Sequence, residues 1–224
     1  MENIKERIAF VREEMEKAKE RSGREDDVTL IAVTKTYGVE EIQKAWEAGC
    51  TVFGENRVQE MMEKLPSFPD AKWHLIGHLQ KNKAKYVVGN AELIHSVDSM
   101  DLLLEINRIA MKKNVVQDVL LEVNISGEIT KYGLTTEEIK DIIIKMGELG
   151  AVRLRGFMTM APKSEDPESV RWVFEKAKEL FDCYRKQHEN IDILSMGMSG
   201  DYTVAVECGA THVRVGSLIF GKRV

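Results

Sequence analysis

Cysteine is scarce in this chain of 224 residues. Cys50, Cys183 and Cys208 are odd in number and lack CxxC spacing, which argues against a disulfide framework and against a thiolate metal site. A reducing, cytoplasmic compartment is the expectation. Long apolar runs are missing as well: no segment approaches the roughly 18 uninterrupted apolar residues of a membrane span. The N-terminus, Met1-Glu-Asn-Ile-Lys-Glu-Arg-Ile8, lacks the apolar core of an export signal, so no membrane partner is expected. An excess of positive charge is equally absent. With 32 Lys and Arg against 37 Asp and Glu the net charge is -5, and the basic residues are spread out, which leaves no footprint for nucleic acid. Only 4 prolines occur, and no low-complexity linker divides the chain. Segments 66–70 and 161–167 are loop-sized interruptions, so residues 1–224 read as a single domain.

What is present is the composition of an ordinary globular protein, 43% hydrophobic and 31% charged, long enough to bury a substantial core. Ile4, Ile8, Val11 and Met15 recur at helical spacing, predicting an amphipathic helix over 3–20. Apolar runs then follow at 29–34, 51–53, 73–76, 93–97, 116–124, 151–158, 191–195 and 211–215. Helical patterns lie between them at 39–48, 57–65, 81–88, 99–113, 136–149, 167–188 and 202–208. Strands that alternate with helices pair in parallel through right-handed crossovers. Eight such units in this length predict a single (β/α)8 TIM barrel with an extra N-terminal helix, because open doubly wound sheets more often have five or six strands.

Barrel active sites lie at the carboxyl ends of the strands, which directs attention to Lys35. It follows the apolar run 29–34, and strict alternation puts it on the face of Ile31 and Val33, toward the barrel mouth. Burial lowers a lysine's pKa and exposes a nucleophilic amine, the requirement for Schiff-base chemistry with an aldehyde. A snorkelling or ion-paired lysine at the strand end is the alternative. The last two units carry a second signal. Both Ser195-Met-Gly-Met-Ser199 and Val213-Arg-Val-Gly-Ser217 pass from strand through Gly and Ser into a helix start. Glycine lets the backbone approach an anion, and barrels often bind phosphate after strands seven and eight. Ordinary turn chemistry with serine caps is the rival explanation. Arg214 would be a second buried cation if it pointed inward. A phosphate ester bearing an aldehyde and a ring nitrogen would satisfy all three features together.

Six segments make this pattern specific. Val33-Thr-Lys-Thr36, Phe53-Gly-Glu-Asn-Arg-Val-Gln-Glu60, Trp73-His-Leu-Ile-Gly-His-Leu-Gln-Lys-Asn-Lys83, Gly156-Phe-Met-Thr-Met160, Ser195-Met-Gly-Met-Ser199 and Val213-Arg-Val-Gly-Ser-Leu-Ile-Phe-Gly221 occur in this order across nearly the whole chain. Together they resemble the YggS-type pyridoxal phosphate homeostasis family, which is related to the N-terminal barrel of alanine racemase. The resemblance implies pyridoxal 5'-phosphate as cofactor, held as an internal aldimine on Lys35. It further implies that Ser199 and the backbone of Gly216 and Ser217 hold the phosphate, that Arg214 meets the pyridine nitrogen, and that Asn56 lies near the ring. Other B6 vitamers and recipient apoenzymes are the implied partners.

Arginine at the ring nitrogen cannot donate a proton as an acid would, so the ring stays a weaker electron sink. A racemase also needs a second base opposite the lysine. In alanine racemase that tyrosine comes from a C-terminal domain of the partner subunit, and this chain is expected to lack such a domain. Of Tyr37, Tyr86, Tyr132, Tyr184 and Tyr202, only Tyr37, Tyr132 and Tyr202 fall in loops on the mouth side, none in a motif that makes it a base. The expectation is a monomeric carrier of pyridoxal phosphate without catalytic residues. An amino-acid racemase or decarboxylase using the same cofactor and a cofactor-free Schiff-base aldolase are the rivals.

The remaining residues have structural readings. His74 and His78 are spaced for zinc on a helix, but their segment reads as strand and loop, so no metal is assigned. Lys81, Lys83 and Lys85 form a solvated helix face. Glu122 and Asn124 share a strand face and suggest a polar layer inside the barrel. The glycine-bounded loop 126–133 reads as an ordinary mobile loop, with a lid as the sharper alternative.

Overall fold

The computed structural model of the protein describes residues 3–127 and 133–221. Helix α1, Ile4–Arg21, comes first, and Asn3 opens it with a capping box to Glu6. Then follow β1 Thr29–Val33, α2 Val39–Glu47, β2 Val52–Glu55, α3 Val58–Lys64, β3 Lys72–Leu75, α4 Ala84–Val87, β4 Leu93–Val97 and α5 Met100–Lys113. The second half holds β5 Gln117–Glu122, α6 Thr136–Met146, β6 Val152–Met158, α7 Arg171–Arg185, β7 Ile193–Met198, α8 Tyr202–Glu207, β8 His212–Val215 and α9 Ser217–Phe220. All eight strands pair in parallel and close into a barrel, with Thr29 of β1 opposite His212 of β8 and Ala32 opposite Val215. The expected barrel with its N-terminal helix is the observed one. Helix α1 buries Ile8, Val11, Met15 and Ala18 and packs on α2, α8 and α9.

Differences from the periodicity have local causes. β1 ends at Val33 because Thr36 turns the chain with φ +69°, although Thr34 N–H still reaches Gly54 O at 3.0 Å. The helix expected over 81–88 is a 3-10 turn, Lys81–Lys83, followed by one α turn that Gly89 stops at φ +80°. Pro167 likewise opens a 3-10 turn, Pro167–Val170, ahead of α7. β5 is shorter than its apolar run, since Leu134 N–H takes the Glu122 carbonyl at 2.7 Å.

The main core lies between strands and helices, where Phe53, Trp73, Leu75, Phe157, Phe174 and Phe181 are buried. Inside the barrel a small apolar layer forms from Leu93, Leu120, Met158 and Ile193. Around it the interior is polar, with His74, His95, Ser195 and Arg214 all buried. Among the described residues no helix is long and apolar enough to cross a membrane.

Candidate active site

The end of β1 delivers Val33 and Lys35 to one side of the backbone and Thr34 to the other, as alternation requires. Lys35 is half-buried, less enclosed than its apolar run suggests. It lines a cavity of about 530 Å³ at the carboxyl ends of the strands. Asn56, Ser199, Arg214, Gly216 and Ser217 line the same cavity, so all six residues singled out in the sequence converge. A larger recess of about 810 Å³ opens where the strands begin, around Thr29, His74, Asp192 and His212. Size favours that recess, but the barrel's chemistry is expected at the opposite face, where the amine sits.

One wall is made of backbone and small side chains from the β7 and β8 loops. Gly216 N–H donates to Ser199 Oγ at 3.2 Å, tying the β7 loop to the β8 loop. A Cβ on Gly216 would lie 3.2 Å from Val33 Cβ and from the Val33 carbonyl, so a side chain would crowd the wall. Helix α9 starts at Ser217, and the first N–H groups of a helix need acceptors from outside it. Across the cavity, Asn56 Oδ1 is buried and has no hydrogen-bond partner among the described residues. Its backbone rests on Gly77, where any Cβ would come within 2.3 Å of Asn56 O.

Arg214 forms the floor. Its Nη1 donates to Ser195 Oγ at 2.6 Å and its Nη2 to Thr159 O at 3.0 Å. Burial draws the guanidinium down to about 10, opposed by the charges of Asp201 and Glu122. Ser195 Oγ lies 3.0 Å from His95 Nδ1, and His95 Nε2 lies 3.0 Å from His74 Nδ1. A guanidinium only donates, so the serine oxygen accepts from it, while the Ser195–His95 and His95–His74 contacts each hold one proton between their two atoms. Burial and neighbouring positive charge lower His74 to about 3 and hold His95 well below its ordinary value. The file from Arg214 to His74 is therefore neutral beyond the arginine. Glu122 is pushed up to about 7 by burial and then by Asp98, with Arg214 opposing.

Ser195 and Thr159 as partners of Arg214, and His95 behind Ser195, are not signalled by any motif in the sequence. A weaker signal existed: polar residues interrupt otherwise apolar strands at His95, Ser96 and Ser195. Other expectations resolve individually. His74 and His78 do not converge, since His74 bonds His95 while exposed His78 pairs with Asp98 at 3.0 Å. Lys81 meets Asp101 at 3.2 Å on the surface, and Lys85 lies over the Tyr86 ring. Glu122 is buried as expected, and Asn124 closes a turn, accepting from Gly127 N–H at 3.0 Å. Tyr37 lines the cavity, with its hydroxyl donated to Gly221 O at 2.8 Å and its ring stacked on Phe220. Tyr202 is buried in α8, where desolvation raises it to about 12. Residues 128–132, which include Tyr132 and the middle of the loop considered as a lid, lie outside the described residues.

Residues 8–224 match the family described as alanine racemase, N-terminal domain. The pyridoxal phosphate homeostasis protein of Aquifex aeolicus is 46% identical over 226 residues, covering 99% of each chain. Its counterpart in Escherichia coli is 36% identical over 233 residues, covering 100% of this chain and 98% of the relative. Among solved structures, PipY of Synechococcus elongatus with PLP bound superposes with a TM-score of 0.84 at 35% identity, over 98% of this chain and 100% of that one. An alanine racemase of Clostridium difficile shares the fold, with a TM-score of 0.76 at 17% identity, over 96% of this chain and 59% of the racemase.

Proposed function

The chain belongs to the alanine racemase N-terminal domain family, among the pyridoxal phosphate homeostasis proteins, and from that premise we propose that it binds pyridoxal 5'-phosphate as an internal aldimine on Lys35 and stores, buffers or delivers it. The observation that carries this reading is the meeting, in one cavity, of a half-buried amine, a glycine-and-serine wall and a buried guanidinium. Lys35 Nζ would hold the cofactor through its aldehyde carbon, with loss of one water. Bound in this way, the cofactor supplies an electrophilic, electron-withdrawing ring.

The residues fit that ligand. Gly216 packs its backbone on Val33 with no space for a side chain, and it lines the cavity together with the Ser199 hydroxyl and Ser217, where hydroxyl and backbone N–H groups would turn to an ester phosphate. Arg214 offers N–H to a ring nitrogen and keeps its proton, which favours holding the ring over activating it. The Asn56 oxygen, without a partner among the described residues, is suited to a donor on the ring's rim. Tyr37, on the cavity wall, has its hydroxyl committed to Gly221, which argues for a carrier over a racemase. Residues 1–224 would act as one cytoplasmic, monomeric unit, exchanging cofactor and other B6 vitamers with apoenzymes.

Borohydride reduction followed by peptide mass analysis tests the assignment. The visible band should bleach, and the reduced cofactor should be found on Lys35; attachment to any other lysine sinks it. Transfer of cofactor to a separate apoenzyme tests delivery, and incubation with alanine in deuterated water should leave the α-proton unexchanged.

A further inference from the structure

Behind the cavity wall, on the outer side of β1 and β2, three charged residues of the Phe53–Lys64 region meet around the backbone of Lys35. Glu55 is fully buried and Lys64 nearly so. Lys64 Nζ donates to Glu55 Oε1 at 2.6 Å and to the Thr34 carbonyl at 2.8 Å, while Thr34 Oγ1 donates to the same carboxylate oxygen at 2.6 Å. One turn earlier on α3, Glu60 Oε2 accepts from Thr36 N–H at 2.7 Å and lies 3.5 Å from Lys64 Nζ. The carbonyl of the peptide before Lys35 and the N–H of the peptide after it are thus both held by α3. Those two peptide planes set the φ and ψ of Lys35 itself.

None of these charged groups lines the cavity, so they do not act by touching a ligand there. Helix docking alone is a poor explanation for them. Glu55 Oε2 is buried with no hydrogen-bond partner among the described residues, and apolar side chains usually hold a helix on a sheet as well as a buried ion pair does. Geometry offers a better one. Thr36 sits at φ +69°, a conformation that a β-branched residue avoids unless its surroundings impose it, and the Glu60 carboxylate bonds its N–H there.

We propose that Glu55, Glu60 and Lys64 form a latch that fixes the backbone on both sides of Lys35 and so aims its amine at the incoming aldehyde. They are positioning residues, and the inference rests on the reading of Lys35 given above. Releasing the latch lets the amine wander while the opposite wall keeps its grip on the phosphate.

Three Glu60 variants of the full chain test this in the cofactor-free form. Glu60→Ala loses the acceptor, Glu60→Asp keeps the charge without the reach, and Glu60→Gln keeps the reach without the charge. Pyridoxal 5'-phosphate is mixed with each, and growth of the visible band gives the rate of imine formation. Binding of pyridoxine 5'-phosphate, which has the ring and ester but no aldehyde, reports the wall alone, and the pH profile of Lys35 acylation by acetic anhydride reports the amine without any cofactor. Glu60→Ala and Glu60→Asp should slow imine formation about tenfold and shift the acylation profile, with pyridoxine 5'-phosphate affinity within about twofold of wild type. Glu60→Gln should recover most of the rate. Wild-type rates and profiles in Glu60→Ala overturn the latch, as does a parallel loss of imine rate, ester binding and thermal stability, which marks a merely structural role. Absence of the visible band in the wild type would instead overturn the cofactor reading, and the acylation profiles would still decide the latch.

Discussion

Arg214 Nη1 donates to Ser195 Oγ at 2.6 Å, so a buried cation in the barrel interior is held by a neutral hydroxyl and, through Nη2, by the Thr159 carbonyl. A carboxylate at this position would neutralise the guanidinium; a hydroxyl leaves its charge and remaining N–H groups for whatever enters the cavity above. Ser195→Ala removes the acceptor for Arg214 and the hydrogen-bond partner of His95 Nδ1 together. Urea unfolding of the apoprotein should register a loss of about 1–3 kcal/mol, the usual cost of stranding buried polar groups.

Arg214→Met separates stability from binding. Replacing a buried charge that has no salt-bridge carboxylate among the described residues by an apolar side chain should leave apoprotein stability unchanged within about 1 kcal/mol or raise it. Affinity for pyridoxal 5'-phosphate should nevertheless fall roughly 10- to 100-fold through the lost charged hydrogen bond, measured by equilibrium titration of the visible band. Unchanged affinity would remove Arg214 from the site.

Glu122 makes stability depend on pH. Its folded-state value of about 7 stands above the ordinary 4.5, so the folded protein holds a proton that the unfolded chain has already released between those values. The stabilisation is complete below the unfolded value and is lost as pH rises through the folded one, by about 3 kcal/mol at most. Glu122→Gln should flatten this fall, and urea midpoints of the two proteins at about pH 5 and about pH 8 compare them directly. A variant that tracks wild type at both would show that Glu122 titrates normally.

The histidines act in the opposite direction. His74 is lowered to about 3 and His212 to about 4, each first by burial, against an ordinary 6.5. As pH falls below 6.5 the unfolded chain takes up protons that these folded imidazoles refuse, so each withdraws about 1.4 kcal/mol of stability per pH unit. Imidazole NMR titration should find both rings neutral at about pH 5.

Gly77 and Gly150 form a matched pair. An added Cβ at Gly77 would lie 2.3 Å from Asn56 O and 2.7 Å from Asn56 Cα, whereas at Gly150 it would meet nothing within 4 Å. Backbone cannot rotate out of the way as a side chain does, so Gly77→Ala should cost about 1–3 kcal/mol or more and weaken cofactor binding by displacing Asn56. Gly150→Ala should stay within about 0.5 kcal/mol. Thermal melts of both apoproteins check the contrast.

Local periodicity was enough to read the eight strands, the N-terminal helix and the side of β1 on which Lys35 emerges, because alternation is a property of consecutive residues. Ser199, Gly216 and Ser217 were legible for the same reason: a strand, a glycine and a helix start are adjacent in the chain. Arg214 stood out as an inward cation on its strand, Asn56 gained its place from the motif resemblance, and the fold then brought both to the cavity. Nothing local announces that Arg214 will rest on Ser195 and Thr159, 19 and 55 residues away, or that Thr34 will share Glu55 with Lys64. Those pairings depend on the register between neighbouring strands and on the seating of α3, which arise when the barrel closes and pairs β8 with β1. Residue type and spacing limit what each side chain is able to do; closure selects the partner beside which it does it.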